Sequence, residues 1–263
     1  MESTIFMSKT SKNALNELSF LATEAMAESG LLAEFSGLVI AQLKQIKPID
    51  FSLEANRKGL IDLTHLSWCS IDNDDSLDLD QLTVSETLLD GRFKIYVAIA
   101  DVDLYIQKNS AIDQHAKHNT TSVYSSIKIF PMLPTTLSND LTSLNENQVR
   151  QAIVTEMIVS HNGFVETSSV YLALVKNKAK LAYDSISDWL EGKADNPIPN
   201  QYQTELSQQI KTQDLVAQRM RSLRHQNGSL QFVTFEPKAI FDGDKMVDIQ
   251  QQQQNRGDRK SVV

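Results

Sequence analysis

The sequence predicts an α+β fold, a strand-rich centre with packed helices, preceded by a helical segment over residues 1–55. Three observations carry this. Apolar residues recur at three- and four-residue spacing near the N-terminus, β-rich runs with short turns fill the middle, and helical stretches follow them. Leu15, Leu18, Ala22 and Met26 share one helix face, and Gly30 suits its stop. A second helix fits 31–44, before Pro48 ends the pattern. The pair reads as a cap on the main core, with an N-terminal arm as the alternative. Residues 93–100 begin with alternation and become continuously apolar, like a buried strand, after a Leu89-Asp90-Gly91 turn. Residues 110–117 suit a short helix, and 129–133, broken by Pro131, an extended segment. Strands fit 152–160 and 165–175 around His161-Asn162-Gly163. Helices fit 183–192 and 203–225, the second ending near Asn227-Gly228. Further strands fit 230–235 and 239–241, joined through Pro237. The main domain is expected over 56–254 and an irregular tail over 255–263, with the glutamine run from Gln250 reading as frayed.

The 263 residues are 41% hydrophobic and 22% charged, which allows one large or two modest domains. No uninterrupted apolar run approaches the roughly 18 residues of a membrane span, so no membrane partner is expected. The N-terminus lacks the basic and apolar pattern of a secretory signal. The single cysteine, Cys69, excludes an internal disulfide and a Cys-based zinc site, and makes a cytoplasmic location the expectation. A net charge of −8 argues against a protein that coats nucleic acid, though not against an enzyme holding it in a narrow basic channel.

The most informative stretch holds Asp72, Asp74, Asp75, Asp78 and Asp80 between apolar segments. Like charges this close repel, more so when partly buried, and a hard divalent cation such as Mg²⁺ relieves the repulsion. A calcium loop needs a glycine at its sixth position and a glutamate at its twelfth. Counted from Asp72 these are Leu77 and Thr83, and from Asp74 they are Leu79 and Ser85, so both registers fail. A solvated acidic loop accounts for Asn73, Asp74 and Asp75 but poorly for Leu77 and Leu79. If the backbone of Asp78-Leu79-Asp80 is extended, both carboxylates lie on one side, and Asp72 returns to them across the loop. Such a group suits one or two Mg²⁺ ions and phosphodiester chemistry.

Three other features carry less. His115 and His118 lie three apart on a predicted helix with no third ligand nearby, so a solvated helix face is the reading. Arg219, Arg221 and Arg224 recur along the long helix and suit either an RNA path or surface ion pairs. Cys69 has no adjacent base to activate it and reads as packing.

The acidic pattern resembles the motif of the ribonuclease II/R (RNB) exoribonuclease family, an Asp, five residues, then Asp-x-Asp-Asp. Further matches follow in family order: Val97-Ala98-Ile99-Ala100-Asp101-Val102, Ser110-Ala111-Ile112-Asp113, Thr121-Ser122-Val123-Tyr124, Pro131-Met132-Leu133-Pro134, Leu137-Ser138-Asn139, Ser143-Leu144-Asn145, Leu181-Ala182-Tyr183 and Leu223-Arg224 with Gly228-Ser229-Leu230. Each is weak alone; their order gives them weight.

The resemblance implies an RNB-type catalytic domain, a mixed, largely antiparallel sheet with packed helices, incomplete at the C-terminus. It implies Mg²⁺-dependent hydrolysis of single-stranded RNA from the 3′ end, releasing nucleoside 5′-monophosphates. Asp80 matches the most critical catalytic aspartate, and Asp72, Asp78 and Asp80 match the metal carboxylates. Tyr124 matches an aromatic that stacks on the terminal nucleotide. Two departures stand out. Gln81 replaces the family's fourth aspartate. The OB-type flanking domains and the later half of the catalytic domain, with an arginine and a glutamate near the scissile phosphate, have no counterpart here, so a truncated chain is expected. The alternative is a non-catalytic RNB-like RNA-binding or regulatory protein.

Overall fold

The computed structural model describes residues 9–51, 59–125, 127–230, 235–242 and 245–253. The chain divides into two compact units. One comprises Met1–Lys47, Tyr105–Thr135 and Thr234–Gln253; the other comprises Pro48–Leu104, Thr136–Val233 and Gln254–Val263.

The second unit is built on a seven-stranded sheet. Its strands are β1 (Ile61–Asp62), β2 (Cys69–Asp72), β3 (Gln81–Thr87), β4 (Phe93–Ala100), β7 (Val149–Val159), β8 (Val165–Lys176) and β9 (Ala179–Ala182), in the order β1-β8-β7-β4-β3-β2-β9. The central pairs are antiparallel, while the edge strands β1 and β9 run parallel to β8 and β2. The sheet is thus mixed and largely antiparallel, as expected. Tight turns dictate the central pairs: Gly91 N–H donates to Leu88 C=O, and Gly163 N–H to Ser160 C=O.

Alternation sends successive side chains to opposite faces. Leu82, Val84, Tyr96, Ala98, Val154 and Val175 pack on one face with Trp68 and Leu144. On the other lie α4 (Tyr183–Leu190) and α5 (Gln203–Gln226). There Cys69 and Leu181 meet Ile186, Leu206 and Ile210, and Phe93, Ile95 and Val97 meet Val216. Cys69 is buried and packs as the sequence suggested. Polar contacts fix the register of α5. Ser85 Oγ donates to Gln209 C=O at 2.8 Å, and Gln209 Nε2 donates to Ser67 C=O at 2.9 Å.

The first unit holds α1 (Lys9–Glu28), α2 (Gly37–Leu43), α3 (Ala111–Asn119), and two hairpins, β5 (Val123–Tyr124) with β6 (Ile129–Phe130) and β10 (Phe235–Asp242) with β11 (Lys245–Gln253). The second helix starts at 37 rather than 31, for a nonlocal reason. The Asn119 amide accepts from Leu32 N–H and donates to Leu32 C=O, holding that segment out of a helix, and Ser36 Oγ then caps α2 at Val39 N–H.

Three expectations need correction. Gln250 to Gln253 are not frayed: they pair with Lys238, Pro237, Glu236 and Phe235 in β10, which runs unbroken through Pro237. Residues 231–234 and the tail from 254 lie outside the described residues. His115 is not on a solvated face. It is buried against Phe35, with ring centroids 4.5 Å apart, while His118 Nε2 bonds Gly30 C=O at 2.8 Å, so the two do not act as a metal pair. No described helix is long and apolar enough to cross a membrane.

Burial, and secondarily the charge of His118, pushes His115 below the ordinary imidazole value. The folded chain therefore favours the neutral ring. His115 withholds no stability above about pH 6.5, and folding is opposed as pH falls below that value through the depressed one. Heat denaturation between pH 7.5 and pH 5 should show the wild-type midpoint dropping further than that of His115→Leu. Parallel profiles would refute this.

Candidate active site

The acidic loop bridges β2 and β3. β2 ends on Asp72 and β3 begins at Gln81. The two strands pair antiparallel with Cys69 opposite Thr83. Asp72 Oδ1 accepts from Asn73 N–H and from Ser76 Oγ, both at 2.8 Å, a local turn that small polar residues favour. Asp74 and Asp75 are exposed, and Lys180 Nζ donates to Asp74 C=O at 2.8 Å.

The other end of the loop is held from afar. Leu79 is buried, its N–H donates to Ser143 Oγ at 3.0 Å, and its C=O accepts from Leu144 N–H at 2.8 Å. Ser143 Oγ donates to Leu77 C=O at 2.9 Å, and Ala100 N–H donates to Asp80 C=O at 2.8 Å. Leu79 is buried, while Asp78 on one side of it is half-buried and Asp80 on the other is exposed. Behind this support, Asn177 Nδ2 donates to Ser70 Oγ and to Leu144 C=O. Asp101, directly after β4, is buried and accepts from Gln151 Nε2 at 2.6 Å.

Asp80 holds its proton more tightly than an ordinary carboxyl. Burial is the main cause, followed by the charges of Asp72 and then Asp78. The side chain stays accessible to solvent while protein surrounds it, so the desolvation is that of a recessed rather than a sealed group. The structure thus brings Asp72 and Asp78 each within electrostatic reach of Asp80. It does not gather them into a closed ligand cage: among the described residues no three His, Cys, Asp or Glu side chains form a metal-holding group.

Tyr124 belongs to the first unit. It ends β5 opposite Ile129 and is 64% exposed. Gln81 opens β3, paired with Ile99 of β4. Arg219 is engaged within the fold, its guanidinium 5.1 Å from the Phe93 ring. Ser143 and Asn177 were not singled out by sequence reasoning as supports of the acidic loop. The Ser143-Leu144-Asn145 match marked the place, but a serine and two asparagines carry no chemical signature by themselves.

Residues 60–260 match the profile of the RNB domain. The chain belongs to the RNB family. It is 34% identical over 195 residues to ribonuclease R of Vibrio parahaemolyticus, covering 74% of this chain and 23% of that protein. It is 32% identical over 217 residues to ribonuclease R of Escherichia coli K12, covering 82% of this chain and 26% of that protein. The RNB chain also superposes on Mycoplasma genitalium RNase R, solved with ribose-methylated single-stranded RNA, with a TM-score of 0.81 at 27% identity over 90% of this chain and 36% of that one. It therefore spans about a quarter of the length of these curated relatives.

Proposed function

We propose that this RNB chain carries the metal-holding part of a Mg²⁺-dependent exoribonuclease that degrades single-stranded RNA from its 3′ end and releases nucleoside 5′-monophosphates. The observation that carries the reading is the acidic loop between β2 and β3, which sets Asp72 and Asp78 within electrostatic reach of Asp80, in a chain of this family. Carboxylates this close repel one another, and a cation relieves that repulsion. The donors are hard carboxylate oxygens, and Mg²⁺ keeps several waters while taking few protein ligands, so an open set suits it better than a cage. Asp72, Asp78 and Asp80 hold the ion. When bound, Mg²⁺ supplies Lewis-acid activation of water and of phosphodiester oxygens. Asp80 is the catalytic carboxylate, and its partial desolvation strengthens its pull on a cation. Tyr124 stacks on a base near the 3′ end, a contact that tolerates every base. A cytoplasmic location goes with this reading, since a chain with a single cysteine does not rely on internal disulfides.

Gln81 favours a second reading, a non-catalytic RNA-binding protein, because it withholds a fourth negative charge at the first residue of β3. One assay separates the two. A 5′-labelled single-stranded RNA incubated with the chain and MgCl₂ should shorten from the 3′ end, and EDTA should stop it. RNA binding without release of nucleotides, followed by release after Gln81→Asp, selects the second reading. Absence of both binding and release in either form overturns both.

A further inference from the structure

We infer that Ser143 is a positioning residue that holds Asp78 and Asp80 in place for the cation. The inference rests on the metal-dependent function proposed above. One hydroxyl grips the chain on both sides of Asp78: it accepts from Leu79 N–H at 3.0 Å and donates to Leu77 C=O at 2.9 Å. Asn145 Oδ1, at 3.2 Å, is an alternative acceptor for the same proton. Ser143 is 1% exposed and Leu79 2% exposed, so water does not replace these bonds if they are lost. Leu144 N–H to Leu79 C=O and Ala100 N–H to Asp80 C=O complete the grip on the following peptides.

The clamp has something to oppose. Asp78 and Asp80 are like charges two residues apart, and like charges this close repel each other. Rotation of the peptides around Asp78 would carry the two carboxylates apart, and those peptides are the ones Ser143 ties down. The support is itself anchored. Asn177 Nδ2 donates to Leu144 C=O at 2.9 Å, and Asn145 Nδ2 donates to Asn139 C=O at 3.1 Å. The hydroxyl therefore transmits the rigidity of the sheet to the loop, as groups behind a metal's direct ligands commonly do.

The test is a titration of the 263-residue chain with MgCl₂, following both the thermal midpoint and the heat of binding, for wild type, Ser143→Ala and Ser85→Ala. Ser85 is a matched control, since its buried hydroxyl also donates to a backbone carbonyl, that of Gln209, away from the acidic loop. Ser143→Ala is expected to raise the Mg²⁺ concentration at half-saturation about tenfold or more. Ser85→Ala should lower the midpoint without Mg²⁺ and leave the half-saturation within about twofold. If Ser143→Ala fails to fold, Ser143→Cys, which nearly keeps the shape but bonds weakly, is read in the same way. An unchanged Mg²⁺ response in the Ser143 variant, with the wild type responding, overturns the positioning role alone. A wild type that does not respond to Mg²⁺ overturns the metal-dependent function, and the positioning role with it.

Discussion

Asp80→Asn is expected to reduce hydrolysis of single-stranded RNA by more than about a hundredfold, beyond the usual loss for a group behind the direct ligands. RNA binding should stay within about threefold of wild type, because the amide keeps the carboxylate's shape and Tyr124 is untouched. The same substitution should make the metal-free chain more stable at neutral pH. The folded chain binds the Asp80 proton more tightly than the unfolded chain does, since burial and the charges of Asp72 and Asp78 oppose ionisation. The ionised carboxylate therefore opposes folding at neutral pH. That opposition fades as pH falls through the raised value and is gone below the ordinary carboxyl range. Asparagine removes it at every pH. Thermal midpoints at pH 7.5 and pH 5 in EDTA should show the wild type rising on acidification relative to the variant. A variant that trims RNA as fast as wild type would sink the assignment of Asp80.

Gly163→Ala is expected to destabilise the chain by about 3 kcal/mol or more. The glycine has φ +81°, where an L side chain is strained by about 1–2 kcal/mol. A Cβ there would lie 2.4 Å from the Arg219 carbonyl carbon and 2.5 Å from Met220 N, both backbone atoms within α5. Backbone in the middle of a helix does not yield as a side-chain end does, and overpacking adds about 1–3 kcal/mol. For a chain of this size the thermal midpoint should fall by about 6–12 °C. Gly192→Ala is the control: its φ is +73°, but nothing lies within 4 Å of the added methyl. It should show the backbone strain alone. Equal losses at the two positions would refute close approach as the cause at Gly163.

The two substitutions mark different depths of legibility. The nearness of Asp72 and Asp78 to Asp80 is readable because it is local: two positions separate Asp78 from Asp80, and one short loop returns Asp72. β4, β7 and β8 are readable because each carries its own period and is bounded by turn residues. The short edges β1 and β9 have only two and four residues, too few to declare a period. α2 looked longer because its preceding residues are apolar, yet Asn119, 87 positions away, takes the hydrogen bonds of Leu32. His115 looked like one of a surface pair because a three-residue spacing says nothing about which face meets Phe35.

By itself, then, the sequence determined the kind of chemistry available: a cluster of hard oxygen donors, an aromatic in the Thr121-Ser122-Val123-Tyr124 match, and a glutamine where the resembled family carries a fourth carboxylate. Tertiary structure alone decided which carboxyl resists ionisation, that the Arg219 guanidinium lies over the Phe93 ring, and that a serine 64 positions from Leu79 grips the acidic loop. The physical reason is range. Spacing and alternation are properties of a few neighbouring residues, whereas desolvation, charge coupling and a hydroxyl's choice of partner arise only when distant segments pack together.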